Sequence, residues 1–117
     1  MLSPSVPITR VTLAEPTSGI IKVIAGRATT FRCVTSGGLP VASIIWYKDT
    51  GNPDSTDDTL LTGATSAITT VNGLQVTTST LVYTPTIQDY RKRVFCVAFN
   101  INELLTSNQA VIDVQCK

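Results

Sequence analysis

Ala28-Thr29-Thr30-Phe31-Arg32-Cys33-Val34-Thr35 alternates without a break. Thr29, Phe31 and Cys33 fall on one side of an extended chain, and Thr30, Arg32 and Val34 on the other. That period of two is what a strand with one buried face requires. Ala25-Gly26 before the segment and Ser36-Gly37-Gly38-Leu39-Pro40 after it are turn-forming composition. The stretch therefore reads as a strand of an all-β fold, with Phe31 and Cys33 facing the interior.

The same grammar extends in both directions. Residues 8–13 and 20–24 read as two pieces of a first strand, interrupted at Glu15-Pro16 and Gly19. Residues 43–48 form the next strand after Cys33, with Ile44 and Trp46 on one face and Ile45 and Tyr47 on the other. Residues 49–58 hold Gly51, Asn52, Pro53 and several aspartates, the composition of an exposed turn. Residues 60–70 give a weak signal, enough for one or two short edge strands. Asn72-Gly73 is a hairpin turn, residues 76–84 follow it, and Pro85 ends that strand. Residues 94–100 and 109–115 are the last two strands, joined by a segment at 101–108. No window carries an apolar stripe at helical spacing, and there is no internal repeat.

Composition narrows the function. A chain of 117 residues suits one domain with a single core, and 43% apolar residues are enough to fill it. Nine basic and eight acidic side chains give a net charge of +1, so no broad cationic field exists for nucleic acid or anionic lipid. Arg91-Lys92-Arg93 and the aspartates at 54–58 are short runs that read as solvated turns. No apolar run approaches the ~20 residues needed to span a membrane. Residues 1–10 lack the hydrophobic segment of a signal peptide, and Met1 reads as a start placed before an excised mature domain.

Catalysis has little to work with. The chain has no histidine, so neither a Ser-His nor a Cys-His nucleophile can form. Asp54, Asp57 and Asp58 carry enough charge for calcium, but their spacing matches no ligand motif. No cofactor or metal site is expected. The three cysteines, at 33, 96 and 116, contain no Cys-x-x-Cys pair. An odd count in a small β-rich chain implies one internal bridge and one thiol left over, hence an oxidising compartment. No Asn-x-Ser/Thr acceptor occurs.

Cys33 stands thirteen residues before Trp46 and sixty-three before Cys96. With the flanking words Gly26-Arg-Ala-Thr-Thr-Phe-Arg-Cys33, Ile45-Trp46-Tyr47-Lys48 and Ser79-Thr-Leu-Val-Tyr-Thr-Pro85, the chain resembles the immunoglobulin superfamily over residues 8–115. The resemblance implies a β-sandwich of two antiparallel sheets with Greek-key connections and seven to nine strands. It implies an inter-sheet Cys33–Cys96 disulfide and a core of Trp46, Phe31 and Leu81. Within the superfamily, Asp89 in an acidic turn followed by Cys96-Val97-Ala98-Phe99-Asn100 is similar to nectin, nephrin and B7-like adhesion-receptor domains. Such domains stand in tandem on cell surfaces. Residues 1–7 are then an N-terminal extension, and 115–117 an exit towards a following immunoglobulin domain.

Two positions depart from the pattern. The superfamily's tyrosine two residues before the second cysteine is replaced by Val94, with Tyr90 four residues too early, which points away from a variable-type domain. Cys116 falls where an exit strand often carries an aromatic. It is open to three readings: a thiol left by cutting the chain short, a partner for another domain or chain, or a small buried hydrophobe.

With Cys33, Trp46 and Cys96 inward, the outward residues follow. On the sheet of Cys33 and Leu81 they are Thr30, Arg32, Val34, Thr80, Val82 and Thr84, a face suited to water. On the sheet of Trp46 and Cys96 they are Ile45, Tyr47, Phe95, Val97, Phe99 and Val111, with Ile101, Leu104 and Leu105 at the rim. An apolar sheet face of this kind marks an interface unless a strand or loop from residues 50–75 folds across it. The expected function is extracellular adhesion or recognition, with a protein partner that includes another copy of the chain. Two rivals remain. An immune-recognition domain would bind non-self ligands through loops 37–42 and 101–105, and a structural spacer would touch only its neighbours in a tandem array.

Overall fold

The alternation around Cys33 becomes strand β3 (Thr29–Thr35), with Phe31, Cys33 and Thr35 buried. β3 lies between β1 (Val11–Glu15) and β7 (Leu74–Tyr83), and β7 carries β6 (Thr65–Val71) on its far side. These four make one antiparallel sheet. The second is built around β8 (Arg93–Asn100), which pairs on one side with β4 (Ser43–Asp49) and on the other with β9 (Glu103–Thr106) and β10 (Ala110–Gln115). β5 (Thr59–Leu61) closes its β4 edge, and β2 (Gly19–Ile24) its β10 edge by parallel pairing. The structure, a computed structural model, describes residues 5–15, 19–49, 59–101 and 103–115. Pro16, the aspartates at 54, 57 and 58, and Cys116 lie outside those residues.

Ten strands are present among the described residues, above the seven to nine expected. The excess comes from interruption. The first strand changes sheets between β1 and β2, and the last one breaks at residues 107–109 between β9 and β10. Counting each broken strand once brings ten to eight. β9 occupies part of the segment read from sequence as a connection, and β6 runs for seven residues where a short edge strand was expected.

The core lies between the sheets. The Cys33–Cys96 bridge crosses it, and Trp46, Phe31 and Leu81 are each 1% exposed around it. Phe31 and Trp46 meet at 6.3 Å with their rings tilted by 56°, an arrangement that suits their quadrupoles. Trp46 Nε1–H donates to Ser79 Oγ at 2.9 Å, so the buried indole has its partner on the opposite sheet. Val94 is fully buried where a tyrosine was awaited.

Polar groups pin both ends. At one end Lys48 Nζ donates to Asp89 Oδ1 and to Tyr83 Oη, both at 2.8 Å. Tyr83 Oη–H donates to Asp89 Oδ2 at 2.7 Å, and the Thr86 amide donates to the same oxygen at 2.9 Å. Asp89 belongs to a 3₁₀ turn (Ile87–Asp89), so this set joins β4, β7 and that turn. At the other end Asn100 accepts from the Ile8 amide at 3.0 Å and donates to the carbonyls of Val6 and Pro40. Gly38 packs under Asn100, and a Cβ there would stand 2.8 Å from Asn100 Nδ2 and 2.9 Å from Ile8 Cγ2.

Asn100 therefore holds the N-terminal segment, the loop at 36–42 and the β8–β9 hairpin together. Asn100→Ala leaves one buried N–H and two carbonyls without their partner and is expected to lower unfolding stability by about 1–3 kcal/mol. Urea unfolding followed by the fluorescence of Trp46, the chain's single tryptophan, measures this directly.

Candidate partner-binding face

The register of the six-stranded sheet determines what stands outside it. Directly opposed residues share a face, so the outward side is a series of cross-strand rows. Leu104, Phe99 and Ser43 form the first row, and Thr106, Val97 and Ile45 the second. Phe95, Tyr47 and Leu60 form the third. Ile20, Val111 and Arg93 make a fourth at the β2 edge. The six outward residues read from alternation all lie outside the buried core cluster. β5 and β6 extend the edges of the two sheets and neither crosses this face.

Accessibility along the face is uneven. Phe95 points outward yet is 6% exposed, because its ring lies against that of Tyr47 with centroids 5.8 Å apart and planes 22° from parallel. Tyr47 is half-buried, as are Ile45, Val97 and Val111. Phe95 thus supports the face from below and is not itself offered to a partner. Three exposed apolar residues cluster at the hairpin end: Phe99 is 38% exposed, Ile101 48% and Leu104 67%. Ile20 and Leu60 add exposed apolar surface at the two edges. Alternation could not find them, since their pairing with Val111 and Tyr47 is a long-range property.

The β8–β9 hairpin turns tightly. Asn100 pairs with Glu103, and Ile101 takes φ +51° between them. A β-branched side chain is disfavoured in this left-handed region, which glycine or asparagine normally occupies. The Asn100 hydrogen bonds hold the base of the turn, while the Ile101 side chain stands in solvent. Backbone strain retained at an exposed apolar tip is a common mark of a recognition site. Loop 37–42 is tied down more firmly, by Val6–Leu39 and Gly38–Gln75 backbone pairs.

The titratable groups serve packing. Burial opposes ionisation of Asp89, but hydrogen bonds from Lys48, Thr86 and Tyr83, together with the Lys48 charge, hold its carboxyl below the usual aspartate value. Burial lowers Lys48, yet Asp89 and Tyr83 more than offset that and raise it above an ordinary lysine. Both groups are therefore charged at neutral pH. Among the described residues, no group of His, Cys, Asp and Glu is placed to hold a metal ion, and no helix is long and apolar enough to cross a membrane.

A two-sheet sandwich with a buried cystine and tryptophan, and an outward apolar face on the cystine's second sheet, defines an immunoglobulin-type domain. Its sequence matches the model of the CD80-like C2-set immunoglobulin domain over residues 12–104, and the chain belongs to that family. The C2-set match agrees with the direction in which Val94 pointed, away from the variable type. No curated protein sequence matches the chain. Many solved structures share its fold, three of them as follows. A crystal structure of Rst D1-D2 is 21% identical with a TM-score of 0.77, covering 95% of this chain and 51% of that one. The mouse nectin-like molecule 4 full ectodomain, Ig1-Ig3, is 21% identical with a TM-score of 0.64, covering 97% of this chain and 34% of that one. The BTLA ectodomain is 16% identical with a TM-score of 0.56, covering 92% of this chain and all of that one. The chain thus spans about half of the first and a third of the second.

Proposed function

We propose that this domain is an extracellular recognition module of a cell-surface adhesion receptor. It binds a protein partner, including a second copy of itself, through the outer face of the six-stranded sheet, with neighbouring immunoglobulin domains in the parent chain. The observation that carries this reading is the cluster of Phe99, Leu104 and Ile101, all exposed at one end of an apolar face whose centre is half-buried. Water-facing apolar side chains grouped in this way are unfavourable unless a partner covers them. The Tyr47–Phe95 stack lends the site a rigid floor, and preorganised contacts lose less entropy on docking. The ectodomain neighbours support an extracellular setting. Binding by apolar burial needs no cofactor and no reaction chemistry.

A second reading draws on the same exposed cluster. If contact is confined to the end loops, 37–42 and 101–105, the domain recognises a non-self ligand there and the sheet face contributes little. Ile101 and Leu104 belong to both readings, whereas Ile45, Tyr47 and Val97 belong to the first alone.

Sedimentation velocity over a concentration series, with and without reductant, tests the homophilic form. Wild type is expected to dimerise reversibly without a Cys116 link. Phe99→Arg is expected to weaken that association at least ~30-fold, the effect of losing a hot-spot anchor. An unchanged dimer in Phe99→Arg overturns the role of this face in self-association. Wild type that stays monomeric removes the homophilic form and leaves a different partner or a spacer role.

A further inference from the structure

We infer that strand β6 is a second self-association surface, through which two copies join their four-stranded sheets edge to edge across a two-fold axis. β6 ends the order β1-β3-β7-β6, so among the described residues one side of its backbone has no neighbouring strand in the sheet. An open edge of this kind is a template for another strand, and proteins that avoid pairing blunt it with charge, proline, a bulge or shortness. The other edges of this domain carry those devices. β1 has a bulge between Leu13 and Glu15, and Glu15 precedes Pro16. β2 has Lys22 in its middle, β5 is three residues long, and β9 begins with the charged Glu103.

β6 has none of them. Thr65-Ser66-Ala67-Ile68-Thr69-Thr70-Val71 contains no charge and no proline, and it pairs with β7 through seven consecutive partners without a register shift. All seven residues are exposed, including Ile68 at 46% and Val71 at 48%. Threonine, isoleucine and valine are also the residues best suited to a pleated ladder.

The free hydrogen-bonding groups can be named. Asn72 and Gly73 both have positive φ, +53° and +80°, which makes the β6–β7 connection a two-residue turn of the I′ type. In such a hairpin Val71 and Leu74 close the ladder as a hydrogen-bonded pair. The groups of Val71, Thr69, Ala67 and Thr65 then point towards β7, and those of Ser66, Ile68 and Thr70 point away. An antiparallel copy with its axis at Ile68 sets Ile68 against Ile68, Ser66 against Thr70 and Ala67 against Thr69. The three outward residues of each copy exchange about six backbone hydrogen bonds in all.

A second copy suits this edge better than a charged peptide does. The juxtapositions pair hydroxyl or small residues with one another, threonine with valine at the two ends and isoleucine with itself, and no charge on the strand demands a counter-charge. Closed two-fold pairing is also the commonest geometry for identical chains. Seven residues a side is a small contact, which places the complex among weak, transient associations.

The surface lies on the sheet opposite the Phe99 face, so the two are tested apart by using Phe99→Arg as the background. Concentrated Phe99→Arg protein is expected to retain weak dimerisation in sedimentation velocity. The amides of Ser66, Ile68 and Thr70 should gain hydrogen-exchange protection with concentration, while those of Ala67 and Thr69 change little. Adding Ile68→Lys should weaken that dimer at least ~10-fold by setting like charges opposite each other. A mixture of Ile68→Lys and Ile68→Glu proteins should restore it. Ile68 is exposed, so both variants are expected to fold. Phe99→Arg protein that is monomeric at about 1 mM, with no concentration-dependent protection at those three amides, overturns the inference. So does a dimer that Ile68→Lys leaves intact.

Discussion

Asp89→Asn is expected to lower unfolding stability by about 3–5 kcal/mol, the range observed when one member of a buried ion pair is removed. The side chain of Asp89 is 2% exposed and that of Lys48 15%, so water cannot replace the lost charge well. The substitution keeps the shape but leaves the Lys48 ammonium without its counter-ion, and it removes the acceptor of the Tyr83 hydroxyl. Lys92, 3.7 Å from Asp89 Oδ1, loses a weaker partner. Chemical unfolding of both proteins at pH 7 measures the difference. A loss below about 1 kcal/mol would reduce the network to the standing of a surface pair.

The pH dependence follows from the same residue. An unfolded aspartate titrates near about 3.9, and Asp89 in the folded domain titrates lower. A depressed folded value contributes stability that is complete above the unfolded value and is lost as pH falls through the folded one. Wild-type stability should therefore fall as the solution is acidified below about pH 4–5. That fall should be shallower in Asp89→Asn.

The second large effect belongs to the disulfide. Joining Cys33 to Cys96 closes a chain segment with a sequence separation of 63 residues. By the chain-entropy argument, a loop of that size stabilises the fold by ~4 kcal/mol relative to the open chain. Domains of this size have total stabilities of about 5–15 kcal/mol, so the bridge is a large part of the whole. Cys33→Ala combined with Cys96→Val should show this loss and a lower thermal midpoint. Wild type unfolded in the presence of reductant should move the same way. Trp46 packs within the same core and reports the transition. Equal stability with and without the bridge would mean that the sheets are held by packing alone.

Alternation around Cys33 and Trp46 was enough to read an all-β fold and the buried face of each strand, because which face is buried is a local property with a period of two. The two-sheet sandwich followed from the resemblance. The same rule identified Ile45, Tyr47, Phe95, Val97, Phe99 and Val111 as outward. Asn72-Gly73 was legible as a turn because its backbone geometry depends on those two residues. The Cys33–Cys96 pairing followed from resemblance, since three cysteines by themselves leave the partners open.

Tertiary structure decided the rest, where long-range pairing outweighs local pattern. Phe95 is covered because Tyr47 is opposite it across two strands far apart in sequence. Ile20 and Leu60 join the face through β10 and β4, neither of which adjoins them in the chain. Asp89 was visible as an acidic turn residue, but its partner Lys48 lies 41 residues away, and only folding brings the two within 2.8 Å. The full length of β6 was hidden for a related reason. Its seven exposed residues have no buried face to impose an apolar rhythm, so its pairing with β7, and not its own composition, makes it a strand.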